Sequence, residues 1–111
     1  MAFVPQPTQT GTIPAAASIT IAAAPAVNIQ RMVNDIVIFN PAGNASARLT
    51  IRINDNSNLR RRAFVILQPE ETYEYDGKSI ILGTVNQTVE AILSAVPTAP
   101  LEFTTNYSDK T

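Results

Sequence analysis

The chain has 111 residues, 45% of them apolar and 15% charged, with eight basic and nine acidic side chains for a net charge of −1. That is the length of a single domain with a modest core, and so even a charge balance excludes an electrostatic footprint for nucleic acid. Cys, His and Trp are absent, which excludes disulfides, zinc–thiolate sites, thiolate nucleophiles and every His-dependent triad.

The charge is unevenly placed. Arg31 is the first charged side chain, and residues 1–30 instead carry Pro5, Pro7, Pro14 and Pro25 among many alanines. Such a segment is too proline-rich for a helix. The expectation is an extended N-terminal arm over residues 1–16 and a β-sandwich domain over 17–111. No membrane segment is expected, because the longest apolar runs, such as Ile21–Val27, are short and interrupted by Pro25, whereas a span needs about 20 residues. The N-terminus lacks a basic leader region and does not read as a signal peptide.

Ser18–Ile21 alternates, predicting a first strand near 17–23. The continuous run Ile36–Phe39 predicts a strand buried on both faces, closed by the turn cluster Asn40-Pro41-Ala42-Gly43-Asn44. Ala47–Ile53 has a period of two, with Leu49, Ile51 and Ile53 inward and Arg48, Thr50 and Arg52 outward. A polar turn follows at Asn54–Asn58. Arg62–Leu67 predicts a strand with Ala63, Val65 and Leu67 on one face. Gln68-Pro69-Glu70-Glu71 is a turn, Thr72–Tyr75 alternates, and Asp76-Gly77 is a hairpin-type signal. Ser79–Leu82 is a short strand. Thr88–Ala95 places Val89, Ala91, Leu93 and Ala95 on one face, and Leu101–Tyr107, after a Pro-rich turn, is the last strand. About eight short strands at this spacing predict an all-β fold, an antiparallel β-sandwich or a jelly-roll-like barrel.

Few residues invite chemistry. Glu74 and Asp76 sit two apart on a strand, a spacing open to a carboxylate pair but better suited to a solvated face. Asp55–Asn58 offers oxygen ligands without the spaced carboxylates of a calcium loop. Three Asn-x-Ser/Thr tripeptides begin at Asn44, Asn86 and Asn106 and read as turn and strand chemistry. Arg60-Arg61-Arg62 is the one basic cluster, and guanidinium groups pair bidentately with carboxylates, so these three arginines are candidate subunit contacts. Phe3 and Val4 are candidate anchors for the arm. No catalytic, cofactor-binding or metal-ligating residue is expected.

The strand-and-turn order resembles a class of small β-sandwich phage virion proteins. The matching stretches are Asp35–Ile51 with its Asn40-Pro41-Ala42-Gly43-Asn44 turn, then Ile66-Leu67-Gln68-Pro69-Glu70-Glu71-Thr72-Tyr73, then Gly77–Leu82 leading into Thr88–Ala91. The likeness runs from Ala17 to Tyr107. Glu70 stands where the class usually has a turn glycine, and Thr84–Gln87 where it often has Gly-Asp. The resemblance implies a structural protein of the virion, assembled in the host cytoplasm: a capsid decoration (cement) protein, or alternatively a neck, tail or fibre-base component. It implies self-association, with a trimer expected, and binding to the major capsid protein or other virion proteins. A carbohydrate-binding sandwich module is the reading from another class, and it would need exposed aromatics on one face.

Overall fold

A computed structural model describes residues 2–111. Ten strands follow in order: β1 (Val4–Pro5), β2 (Gln9–Ile13), β3 (Ile19–Ala22), β4 (Gln30–Phe39), β5 (Ala47–Asp55), β6 (Asn58–Leu67), β7 (Thr72–Glu74), β8 (Ile80–Leu82), β9 (Gln87–Leu93) and β10 (Leu101–Lys110). They form two antiparallel sheets. In the first, β4 and β10 are neighbours at the centre. β1 and β2 both lie along the far side of β10, while β7 and β8 both lie along the far side of β4. The second sheet has the order β3-β9-β5-β6.

Taken as interrupted single strands, β1 with β2 and β7 with β8 leave eight strand positions, four in each sheet. In chain order these positions run 1-8-3-6 in one sheet and 2-7-4-5 in the other. Every connection except the β5–β6 hairpin crosses between the sheets. This is jelly-roll order, the double-sheet solution that packs eight antiparallel strands around one core. The antiparallel β-sandwich expected from the sequence is therefore the observed fold.

The core comes from the inward positions of both sheets. Ile36 and Ile38 of β4, Leu101 and Phe103 of β10, Leu49 and Ile51 of β5, and Val89, Ala91 and Leu93 of β9 are buried, as their period of two dictates. The run 36–39 is not buried on both sides, because Val37 and Phe39 point outward and are only half covered. Nor does Asp76-Gly77 close a hairpin, since β7 and β8 pair with β4 and not with each other. The Tyr75 ring lies over Gly77, and its hydroxyl donates to the Lys78 carbonyl at 2.8 Å. The chain there makes a local detour along one sheet edge.

The N-terminal segment is part of the sandwich. β2 runs in register along β10 from Ile13↔Leu101 to Gln9↔Thr105. Ile13 is fully buried, so the core draws on residues before 17. Gly11 lies opposite Phe103, where a Cβ would come within 2.8 Å of the ring. Glycine is what admits this close approach.

Candidate functional site

The ends of the sandwich are closed by polar contacts. At one end Asn40 and Asn44 are buried. The Asn40 amide donates to the Leu67 carbonyl at 3.0 Å and the Ala45 carbonyl at 3.2 Å. The Asn44 amide donates to Asn40 Oδ1 at 2.9 Å and the Ala99 carbonyl at 2.8 Å, and its own oxygen accepts from the Ala99 N–H. Two side chains thus knot three loops, and Asn44 is no acceptor for a glycan. A cavity of about 90 Å³ beside them, between the 40–48 and 93–98 segments, is far below the roughly 300 Å³ of a small-molecule site.

At the other end Arg31 acts as a latch. Its Nε and Nη2 form a fork on Asp109 at 2.8 and 3.0 Å. Its Nη1 reaches across to the Ala23 carbonyl beyond β3 at 2.8 Å, and its guanidinium stacks 4.0 Å over the Tyr107 ring. The hydrogen bond to Asp109 holds the Arg31 guanidinium above its ordinary range, against the opposing effect of burial. Tyr73, on β7, is packed against the core. Burial pushes its hydroxyl above the usual tyrosine range, and the charges of Asp76 and Tyr75 act in the same direction.

Among the described residues no cluster of three or more Asp and Glu side chains could hold a metal ion. Asn56 and Ser57 are simply the two-residue loop of the β5–β6 hairpin, and the Ser57 N–H donates to Asn54 Oδ1. Glu74 and Asp76 are both exposed.

The distinctive surface lies on the second sheet. β6 is a ten-residue edge strand. Its inward residues, Ala63, Val65 and Leu67, match expectation. Its outward residues are also apolar, for Phe64 is 52% and Ile66 46% exposed. Beside them on the same face, Ile66 pairs with Arg48 and Phe64 with Thr50, which in turn pairs with Ile92. The next row holds Arg61, Arg52 and Glu90. There Arg52 donates to Glu90 at 3.0 Å, as does Asn54. Glu90 is thereby taken by Arg52, and Arg61 faces water.

The predicted contact residues are placed as follows. Arg60, Arg61 and Arg62 are exposed on β6, where a bulge opposite Ile51 and Arg52 inserts one extra residue. Arg62 donates to the Lys78 carbonyl at 3.2 Å. Among the described residues no carboxylate pairs with these three guanidinium groups or with that of Arg48. Phe3 and Val4 lie elsewhere, beside the end of β10. Val4 pairs with Asp109, and Lys110 sits 5.0 Å over the Phe3 ring. Phe64 and Ile66 escape a reading that assigns only one parity of a strand to the core. The signal was present, since Ala63–Leu67 is apolar at every position.

No protein-family model matches the chain. No curated protein matches it either. Among solved structures it is similar to the N-terminal CBM22-1 and GH10 modules of endo-1,4-β-D-xylanase 10B from Clostridium thermocellum, a structure complexed with xylohexaose. That alignment has a TM-score of 0.43 at 12% identity, over 83% of this chain and 18% of that one. The chain thus spans under a fifth of that protein's length.

Proposed function

We propose that this chain is a structural virion protein, a phage capsid decoration (cement) protein that self-associates and stabilises the head shell. The observation that carries the reading is the character of the outer face at β5–β6. Phe64 and Ile66 stand exposed between Arg48 and Arg61, arginines with no acidic partner among the described residues. A surface rich in arginine and exposed apolar groups suits binding by area. The enclosed cavity beside Asn40 and Asn44, at about 90 Å³, is too small for a ligand, and the larger spaces, of about 310 and 320 Å³, are open surface grooves. The phage assignment itself rests on the strand-and-turn resemblance. Jelly-roll order accompanies it in viral capsid domains but also in lectins, so order alone does not choose between them.

The aromatic inventory weighs against the carbohydrate-binding alternative. Phe64 is the one aromatic ring in the exposed class among the described residues. Tyr73 and Tyr75 pack against the core, and Tyr107 is covered by Arg31.

Quantitative mass spectrometry of purified virions tests the proposal. Copies in the hundreds per particle, with re-binding of purified protein to stripped heads, are the expected result. A dozen copies or fewer would move the chain to the neck or tail. A monomer with no affinity for heads, necks or tails would overturn the virion reading.

A further inference from the structure

The two outer faces of the sandwich carry opposite charge in matching arrangements. On the second sheet three successive rows across β5 and β6 read Arg48/Ile66, Thr50/Phe64 and Arg52/Arg61. On the first sheet three successive rows across β10 and β4 read Glu102/Phe39, Thr104/Val37 and Asn106/Asp35, with Glu74 of β7 beside Val37. Each face thus has an apolar pair two residues apart on one strand, bounded on the second sheet by the unpaired Arg48 and Arg61, since Arg52 is neutralised by Glu90, and on the first by Asp35, Glu74 and Glu102. Rows two residues apart are about 6.8 Å apart, so both patterns span roughly 14 Å. The first face also holds an open groove of about 310 Å³ at Asp35, Val37, Glu74, Tyr75 and Asn106. Among the described residues none of its acids is in an ion pair. A groove with two unpaired carboxylates, Asp35 and Glu74, is chemically suited to a guanidinium.

We infer that the basic apolar face of one copy docks on the acidic face of a second copy. Phe64 and Ile66 cover Val37 and Phe39, and Arg61 enters the Asp35–Glu74 groove. This deepens the self-association in the proposed function and rests on it. The molecule measures 45 × 26 × 21 Å, so a broad face accommodates the about 800 Å² per partner that a stable contact buries. The contact is heterologous, one face meeting a different one, and such contacts propagate unless a rotation closes them. Because the two faces lie on opposite sides of one sandwich, copies stack into a column. The closed trimer expected from the sequence does not follow from this contact.

The test is reciprocal charge reversal read by sedimentation velocity across protein concentration. The wild-type chain is expected to grow in mean mass with concentration, and to do so less when salt rises from about 0.1 to 1 M, where screening shortens from about 10 to 3 Å. Arg48→Glu with Arg61→Glu is one variant, and Asp35→Lys with Glu74→Lys the other. Each alone is expected to associate at least about tenfold more weakly. Their equimolar mixture is expected to recover association, because each then meets a complementary face, and recovery also shows that both variants are folded. A wild-type chain that stays monomeric, variants that associate as wild type does, or a mixture that fails to recover would overturn the inference. Binding of the same proteins to stripped heads separates the two readings. A monomer that saturates heads defeats this contact alone, and a stacking chain that binds no virion part defeats the virion reading alone.

Discussion

Glu70 has a φ of 65°, in the left-handed region that costs an ordinary residue about 1–2 kcal/mol. It follows Pro69 in a turn closed by the Glu71 N–H on the Gln68 carbonyl at 3.1 Å. Pro then a positive-φ residue is the type II pattern, in which glycine belongs at the second position. Ser57, at φ 75° after Asn56 in the β5–β6 hairpin, stands where a type I′ turn prefers glycine. Glu70→Gly and Ser57→Gly should each raise stability by about 0.5–1 kcal/mol, seen as a higher urea midpoint. Thr105 is a different kind of misfit. Its hydroxyl is fully buried on β10 with no hydrogen-bond partner among the described residues. An unpaired buried hydroxyl costs about 1–3 kcal/mol, so Thr105→Val, of the same shape, should stabilise the fold by about 1 kcal/mol. Tyr73 sets an alkaline limit. Its folded pKa lies above the unfolded value near 10, so the folded state holds the proton more tightly. The resulting stability is fully present below about pH 10 and is lost as pH rises through the folded pKa. The alkaline decline in urea midpoint should be shallower in Tyr73→Phe, and parallel profiles would refute this role.

At the scale of elements, the N-terminal edge depends on one missing side chain. β2 can lie flat on β10 only because Gly11 leaves room for the Phe103 ring. Gly11→Val should therefore lift β2, unpair the 101–105 edge of β10, and destabilise the fold by about 2 kcal/mol or more through overpacking. The exposed edge should also promote association that salt does not weaken, distinguishable by light scattering from charge-driven stacking. This edge was the least legible part of the sequence. Gln9–Ile13 is short, polar and flanked by prolines, and its pairing partner lies some 90 residues away, at Leu101–Thr105. Local alternation was informative where one face was polar, as in Ala47–Ile53. At Ala63–Leu67 it placed Ala63, Val65 and Leu67 inward correctly but was silent on Phe64 and Ile66, because both faces are apolar and only one is core. Asp76-Gly77 misled for a related reason, since its glycine serves a tyrosine packed over the chain, while β4 alone holds β7 and β8. The arginines at 60–62 were visible as a cluster. Their acidic counterpart was not, because Asp35, Glu74 and Glu102 come together only through the β10-β4-β7 register.

For the whole molecule, the same topology sets the order in which it opens. The two halves of the jelly roll are joined end to end by Arg31, which ties β4 to Asp109 of β10 and reaches the carbonyl of Ala23 beyond β3. At the opposite end Asn40 and Asn44 tie three loops together. Between these ends, β4 and β10 are paired on both sides in one sheet and β5 and β9 in the other. The edges are interrupted or short on three sides, at β1/β2, β7/β8 and the four-residue β3. β6 is the exception, a long edge strand held to β5 along its whole length. Local opening follows the number of partners a strand has, because backbone hydrogen bonds near solvent break first. Native-state hydrogen exchange should therefore find β1, β2, β7 and β8 exchanging first and β4, β5, β9 and β10 last. Those four should exchange together at the global unfolding free energy, because the core between the sheets is continuous. Replacing Arg31 by Met removes the latch and leaves Asp109 partly buried without its cation, a loss of about 3–5 kcal/mol for a fully buried pair and less here, where both side chains retain some exposure. If β4 and β10 then exchanged ahead of β5 and β9, the two sheets would be separate units joined at their ends. Equal acceleration in all four is the result that a single shared core requires.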